Sequence, residues 1–535
     1  MKLQVAVVAG CRIDLLYDLR TMRSTISILA IILIGQLFAQ RQPDLKKLDA
    51  YITNAMEQFG QPGLAVGIVK DGKLIWSKGY GTPDLSGKEK VTANTIFTNA
   101  SMSKAFTACA IGLLVDVGKL KFSDPVIKHL PEFSTPDPYV TASMTIRDLL
   151  CHRSGWITFD GDLLWYGTDL EPEEILRRHS KEPFTYGFRE QFGYSNLMFI
   201  AAAQVIEKVS GKDWDTFITD RILKPLEMTR TTVETEALKG MKDVALPHVP
   251  DREKGSWVKS MAHQPLRGAD GATGINSCVT DLAKWDAMWM NEGKVNGNEF
   301  LKEGTWVTIT TNQLNFPVGP DEAATGKHYD GAALGWFTED RFGAKIITHS
   351  GGLPGFVLNH AVVPEKDLAV IALANAETYI AFAVTDKILD LYLGTGTADP
   401  VAEMLPRIKA RDERNAKRLA DRTAARVNGT MPSAGVEKIA GTYSDKVYGD
   451  AVITNANGTP VLTFMPAKDL LTGSLEHWHH DTWKWNHIDP FLEPGWITFN
   501  FDSDHNIKGF KIDLVSPDFH FYKLDFIRKK EQPQQ

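Results

Sequence analysis

Strand-like sequence occurs in two blocks near opposite ends of residues 40–395, and this separation limits the possible folds more than any other feature. The first block is a hairpin: runs 64–70 and 73–78 are joined by Asp71-Gly72, residues that tolerate the left-handed backbone a two-residue turn needs. The second is a meander of runs 345–348, 356–363 and 368–375, read from alternation and turn residues. Between the blocks helices dominate. Leu45, Leu48, Ile52, Met56 and Phe59 recur at helical spacing before Gly60. A buried helix is expected over 101–117, with others opening at 144–150 and spanning 196–210 before Gly211. Thr280 reads as the N-cap of a helix carrying Leu282, Trp285 and Trp289 on one side, and 381–393 closes the unit. Two distant strand blocks can share one core only by pairing, so the expectation is α+β: an antiparallel sheet flanked by helices, with a helical insertion.

At 535 residues the chain exceeds one ordinary core. Past residue 395 its character changes: 396–431 is a charged helical connector, densest in Arg, Lys, Asp and Glu over 403–426. Runs 441–443, 450–454, 461–465, 483–486, 496–501 and 507–514 then make 432–535 a small all-β barrel, with turn signals at Asn457-Gly458 and 504–506. At the other end, 26–39 is an apolar run after Arg23, too short to span a bilayer comfortably and suited to a signal peptide cleaved near Ala39. Met22 is an alternative start, and lipid attachment at Cys11 would leave the longer apolar run without a role. The expected organisation is a signal peptide over 1–39, a catalytic unit over 40–395, and the linker and barrel, with the protein periplasmic or secreted and no stable membrane span after cleavage. The net charge of -7, with no basic stripe, gives no support for a nucleic-acid partner. Cys109, Cys151 and Cys278 lack metal-ligand spacing and read as packing residues.

Three short elements carry chemistry. Ser101-Met102-Ser103-Lys104 puts a hydroxyl and an amine on one helix face, and a serine needs a neighbouring base before it can attack. The helix start adds N–H groups for a developing oxyanion. In Tyr194-Ser195-Asn196, a cation such as Lys104 would lower the phenol pKa, while Asn196 would meet a substrate carbonyl or orient Lys104. In His349-Ser350-Gly351-Gly352, the glycines let a substrate lie along a strand edge and offer a backbone N–H.

In this order the three resemble the serine β-lactamase and penicillin-binding-protein superfamily, specifically the class C β-lactamase, D-aminopeptidase and esterase branch. Supporting stretches are Gly118-Lys119-Leu120 with Asp124-Pro125, the run 145–155, Gly274-Ile275-Asn276-Ser277, Asp281 to Trp285, and Gly335-Trp336. The resemblance covers roughly residues 45–395. It implies that Ser101 is the acylated nucleophile and that Lys104 and Tyr194 share proton transfer, without saying which is the base. It implies Asn196, His349, Ser350, Gly351 and Gly352 as substrate-binding residues, with the N–H groups of Ser101 and Gly352 as oxyanion donors. No cofactor or metal is implied, and the expected partner is a small-molecule or peptide substrate.

His349 stands where the family usually has lysine, and a neutral imidazole is a weaker partner for a carboxylate. That moves the expectation from β-lactams toward esters, amides or peptides containing D-amino acids. The alternatives are a β-lactamase, or a penicillin-recognising protein that acylates without efficient turnover. His152 reads as a loop-ordering residue. The cluster 476–481 holds three histidines and two acids but has no distant ligand pair, which leaves a metal-dependent hydrolase as the weakest reading. The region from Pro432 onward resembles, more loosely, a lipocalin-like domain that would shape the mouth of the Ser101 cleft.

Overall fold

The computed structural model describes residues 43–251, 256–259, 266, 268–324, 326–341, 343–393 and 396–530. The expected signal segment and Cys11 lie outside them. The two strand blocks pair as anticipated. Gly63–Lys70 forms a hairpin with Lys73–Gly81 and pairs on its other edge with Leu368–Ala374. The sheet continues through Phe356–Val363, Ala344–Leu353, Phe337–Arg341, Asp330–Ala332 and Leu314–Asn315, giving eight antiparallel strands.

Gly63–Lys70 and Leu368–Ala374 are buried on both faces, which explains their unbroken apolar sequence. Leu64, Val66 and Ile68 face one apolar cluster together with Leu48 and Ile52 of the Leu45–Phe59 helix and Val384 and Ile388 of the Ile380–Leu393 helix. Ala65, Val69 and Ile371 face the other cluster, with Leu282 and Trp285 of the Val279–Met290 helix. The Ser103–Asp116 helix lies farther out on this second side, tied in by Phe106 stacked on Trp285 with ring centroids 3.8 Å apart.

The Asn196–Ser210 helix has its expected bounds, capped by the Ser195 side chain and ended by Gly211 in the left-handed region. Thr280 is not an N-cap. The extended backbone continues through Cys278, the helix begins at Val279, and the Thr280 hydroxyl instead donates to Asn94 Oδ1 at 2.8 Å.

The 25-residue helix Pro400–Ala424 leads to a closed barrel of eight antiparallel strands. Its arginines touch the barrel rather than water alone: Arg422 lies 3.9 Å over the Trp496 ring, and just past the helix Arg426 lies 4.5 Å over Trp478. Two further strands complete the barrel. Thr472–His479, where the alternation of His477 and His479 already reads as strand-like, holds the first part of the histidine cluster, and Asp525–Arg528, not expected, closes the barrel by pairing with Gly441–Asp445. Among the described residues no helix is long and apolar enough to cross a membrane.

Asp148 links the segments that carry the site. Fully buried, it accepts hydrogen bonds from Arg153 Nε at 2.6 Å, Arg189 Nη2 at 2.6 Å and Thr145 N at 2.9 Å. Burial alone would raise its pKa, but Arg189, Thr145 and Arg153 together hold it below the usual carboxylate range. Asp148→Ala is expected to cost about 1–3 kcal/mol in urea unfolding at pH 7, because it removes the buried carboxylate shared by Arg153, Arg189 and Thr145, while the two partly exposed guanidinium groups can turn to water. The folded-state pKa is depressed, so the wild-type advantage is present above the ordinary aspartate pKa of about 3.9. It should fade as pH falls through the folded-state value, and the two proteins should then converge in stability.

Candidate active site

Ser101 lies in a single helical turn, Ala100–Met102, immediately before the Ser103–Asp116 helix. Ala100 holds a positive φ of 50°, a strained position for a residue with a Cβ. Ser103 fixes that turn: its hydroxyl donates to Ala100 O at 2.6 Å and accepts from Ile275 N at 2.9 Å. The second serine of the motif therefore has a structural task. One turn on, Lys104 is fully buried, and its Nζ donates to Ser101 Oγ at 3.0 Å and to Ala272 O at 3.1 Å. The amine lies 4.8 Å over the Tyr194 ring. Burial lowers the Lys104 pKa to about 7, opposed by the negative charge of Asp162.

Tyr194 reaches the same point from the other side, hydrogen-bonded to Ser101. Gly193 before it has no room for a side chain, since a Cβ there would lie 1.8 Å from Trp156 O. His152 stacks on the Tyr194 ring at 4.1 Å, and its Nδ1 accepts the Ser195 N–H at 3.0 Å. Burial drives the His152 pKa well down, so the ring is neutral and orders the loop, as its sequence context suggested. The expectation that Lys104 would lower the Tyr194 pKa does not hold. Burial raises the phenol well above its ordinary value, because desolvating a phenolate outweighs a nearby amine that is itself half neutral near pH 7.

Asn196 is near Tyr194 but bonds elsewhere: its Nδ2 donates to Asp162 Oδ2 at 2.6 Å. Asp162 was not singled out from the sequence. The available signal was an acid directly before the apolar run Leu163-Leu164-Trp165-Tyr166, a setting in which a carboxylate is drawn inside.

His349 to Gly352 belong to the Ala344–Leu353 strand. Pairing with Phe337–Arg341 stops at Thr348, so the edge of residues 349–353 on that side carries no strand. Gly351 passes so close to the Ser101 turn that a Cβ would lie 2.3 Å from Asn99 O, whereas a Cβ on Gly352 would meet nothing within 4 Å. His349 Nδ1–H donates to Ser350 O at 2.6 Å, and burial together with the Lys104 charge lowers its pKa to about 3. The imidazole is neutral at any ordinary pH.

The histidine cluster 476–481 ties loops together: His477 Nε2–H donates to His480 O, and His479 Nδ1 accepts from Val427 N. Among the described residues no group of three or more His, Cys, Asp or Glu side chains is arranged to hold a metal ion.

Residues 48–395 match the family described as Beta-lactamase. The chain belongs to this family of serine hydrolases. Residues 425–528 match a domain of unknown function, DUF3471. As a beta-lactamase family member the chain is 28% identical over 357 residues to the unguisins hydrolase ungD' of Aspergillus campestris, covering 64% of each protein. It is 25% identical over 374 residues to protein flp of Staphylococcus aureus strain COL, covering 68% of this chain and 70% of that one. The match thus spans less than two thirds of the unguisins hydrolase. In fold it resembles an octameric penicillin-binding protein homologue from Pyrococcus abyssi, with TM-score 0.59, 24% identity, and 91% of this chain and all of that one covered. A D-stereospecific amidohydrolase from Streptomyces sp. aligns with TM-score 0.51 and 20% identity over 63% of this chain and 98% of that one.

The glycine pair gives a direct check of this geometry. Gly351→Ala should destabilise the protein by about 1–3 kcal/mol and displace the Ser101 turn, because the clash is with backbone. Gly352→Ala should keep wild-type thermal stability, and paired melting curves distinguish the two.

Proposed function

We propose that the protein is an exported serine hydrolase that forms an acyl-enzyme at Ser101 on amide, peptide or ester substrates. The observation that carries this reading is the hydrogen bond from the buried Lys104 amine to Ser101 Oγ, with the amine pKa brought to about 7. In the neutral form, Lys104 Nζ accepts the Ser101 proton as Oγ attacks the substrate carbonyl. The backbone N–H groups of Ser101 and Gly352 hold the oxyanion. Tyr194 keeps its proton at neutral pH, which suits it to donate to the leaving group and be reprotonated from Lys104. Water then attacks the acyl-enzyme, its proton passes to the same base, and Ser101 leaves with a proton restored.

The neutral His349 offers a substrate carboxylate no countercharge, which favours amides, peptides and esters over β-lactams. Two similar proteins, one named a hydrolase of unguisins and one a D-stereospecific amidohydrolase, support an amide or D-amino-acid-containing substrate. Export rests on the apolar run 26–39; cleavage near Ala39 goes with it, and a secreted protein whose first residue precedes Met22 would overturn that cleavage.

The test is hydrolysis of short p-nitrophenyl esters, D- and L-amino-acid amides and a chromogenic cephalosporin by wild type and Ser101→Ala. The variant should lose about 10³-fold or more in kcat/KM on every substrate that turns over. Wild-type kcat/KM should rise about tenfold per pH unit below 7 and level off above it, as Lys104 loses its proton. Equal turnover by both proteins would remove Ser101 from the mechanism.

A further inference from the structure

A strap formed by residues 159–170 joins the catalytic centre to the barrel. On the catalytic side, Phe159 N donates to Tyr194 O at 2.7 Å, and Asp162 accepts from Asn196. On the barrel side, the Tyr166 hydroxyl donates to Asp489 Oδ2 at 2.8 Å, and its ring packs on Phe519 with centroids 4.1 Å apart. Lys523 Nζ donates to Asp160 Oδ2 at 2.7 Å. A Cβ on Gly167 would meet Leu470 at 2.6 Å, so the two surfaces are in close contact.

We propose that Asp162 is a positioning residue for hydrolysis, held by a barrel-clamped strap so that it fixes the Asn196 amide and, when ionised, acts on Lys104. The proposal rests on the reading of Ser101 and Lys104 given above. Asp162 and Asn196 are both almost completely buried, so neither can exchange its partner for water. Burial raises the Asp162 pKa to about 7, so near neutral pH the acid is partly ionised; in either state Oδ2 can accept, and the 2.6 Å contact turns the Asn196 NH₂ toward it. The Asn196 carbonyl oxygen is then left buried without a protein partner, available to a substrate N–H. Around Asp162 the charged or titratable groups are Lys104 and Asp518, with Asn196 as the hydrogen-bond partner of Oδ2. Around Lys104 they are Asp162, the neutral rings of His152 and His349, and the Tyr194 phenol. Asp162 is the one acid acting on Lys104 among the described groups, and because burial raises its pKa to about 7 its support of the ammonium grows as pH rises through that range.

The experiment measures the rate at which a fluorophosphonate probe labels Ser101 across pH in the full-length protein. Asp162→Asn can keep the hydrogen bond to Asn196 while removing the charge. Its limb near pH 7, where Asp162 is about half ionised, should move measurably to lower pH, because losing that partial charge lowers the Lys104 pKa. Asp162→Ala also loses the bond, and its amidase kcat/KM should fall at least about tenfold, more than its esterase kcat/KM, since the freed Asn196 no longer presents its oxygen to a substrate N–H. Tyr166→Phe, on the barrel side, should change labelling in the same direction by a smaller amount. If Asp162→Asn keeps the wild-type limb, the proposal is overturned, and this holds even where Asp162→Ala does not fold. A Ser101→Ala protein that still turns over substrate would instead overturn the serine reading itself.

Discussion

The site depends on taking one ammonium out of water. A lysine side chain with no solvent exposure is costly to keep charged, and the fold pays that cost where the amine can be used. The enclosing elements come from distant parts of the sequence: the Ser103–Asp116 helix, the Ala272 carbonyl, the Tyr194 ring and Phe199, whose ring lies 5.5 Å from Nζ. None of these supplies a full countercharge in contact, so desolvation decides the protonation state. If water reached Nζ, the amine would return to its ordinary high pKa and Ser101 would face an ammonium that cannot accept a proton.

The same desolvation acts on every titratable ring nearby, with opposite consequences. It keeps Tyr194 protonated and makes His152 and His349 neutral. Under the mechanism proposed above, one physical cause thus sorts a proton acceptor, a proton donor and two uncharged ring neighbours without any dedicated ion pair in the first ring of contacts. It also accounts for the tolerance of histidine at position 349. A lysine there would add a second cation beside Lys104, whereas the imidazole contributes shape and one backbone hydrogen bond.

Much of this was legible in the sequence because it depends on local signals. Asp71-Gly72 marks its hairpin, Gly211 ends its helix, and Ser101 with Lys104 share a helix face by spacing alone. What spacing could not show was burial. Reading Tyr194 with a lowered pKa assumed a charged Lys104 and a solvated phenol, and both assumptions fail in a dry site. Asp162 escaped notice for a related reason. Its partner Asn196 lies 34 residues away, and no periodicity connects a one-turn helix to the start of a long one. The strand Asp525–Arg528 was hidden by its charges, because barrel closure rather than propensity makes it extended, whereas the alternation of His477 and His479 did mark Thr472–His479.

The barrel bears on the chemistry through packing rather than through a side chain reaching the nucleophile. Apolar contact runs without a break from the catalytic unit into the barrel interior, through Trp165, Tyr166, Phe519 and Leu470. An interface of that kind resists sliding, because each aromatic ring would leave a void on moving. The strap it holds carries a buried carboxyl group bonded to the Asn196 amide, and to the extent that it is ionised it acts strongly on its neighbours in low dielectric and is poorly screened. A surface loop carrying the same aspartate would be hydrated and would exert little influence on Lys104. On this view the charged connector and the barrel keep the strap in place, and the strap keeps the catalytic unit's own amide and amine in register.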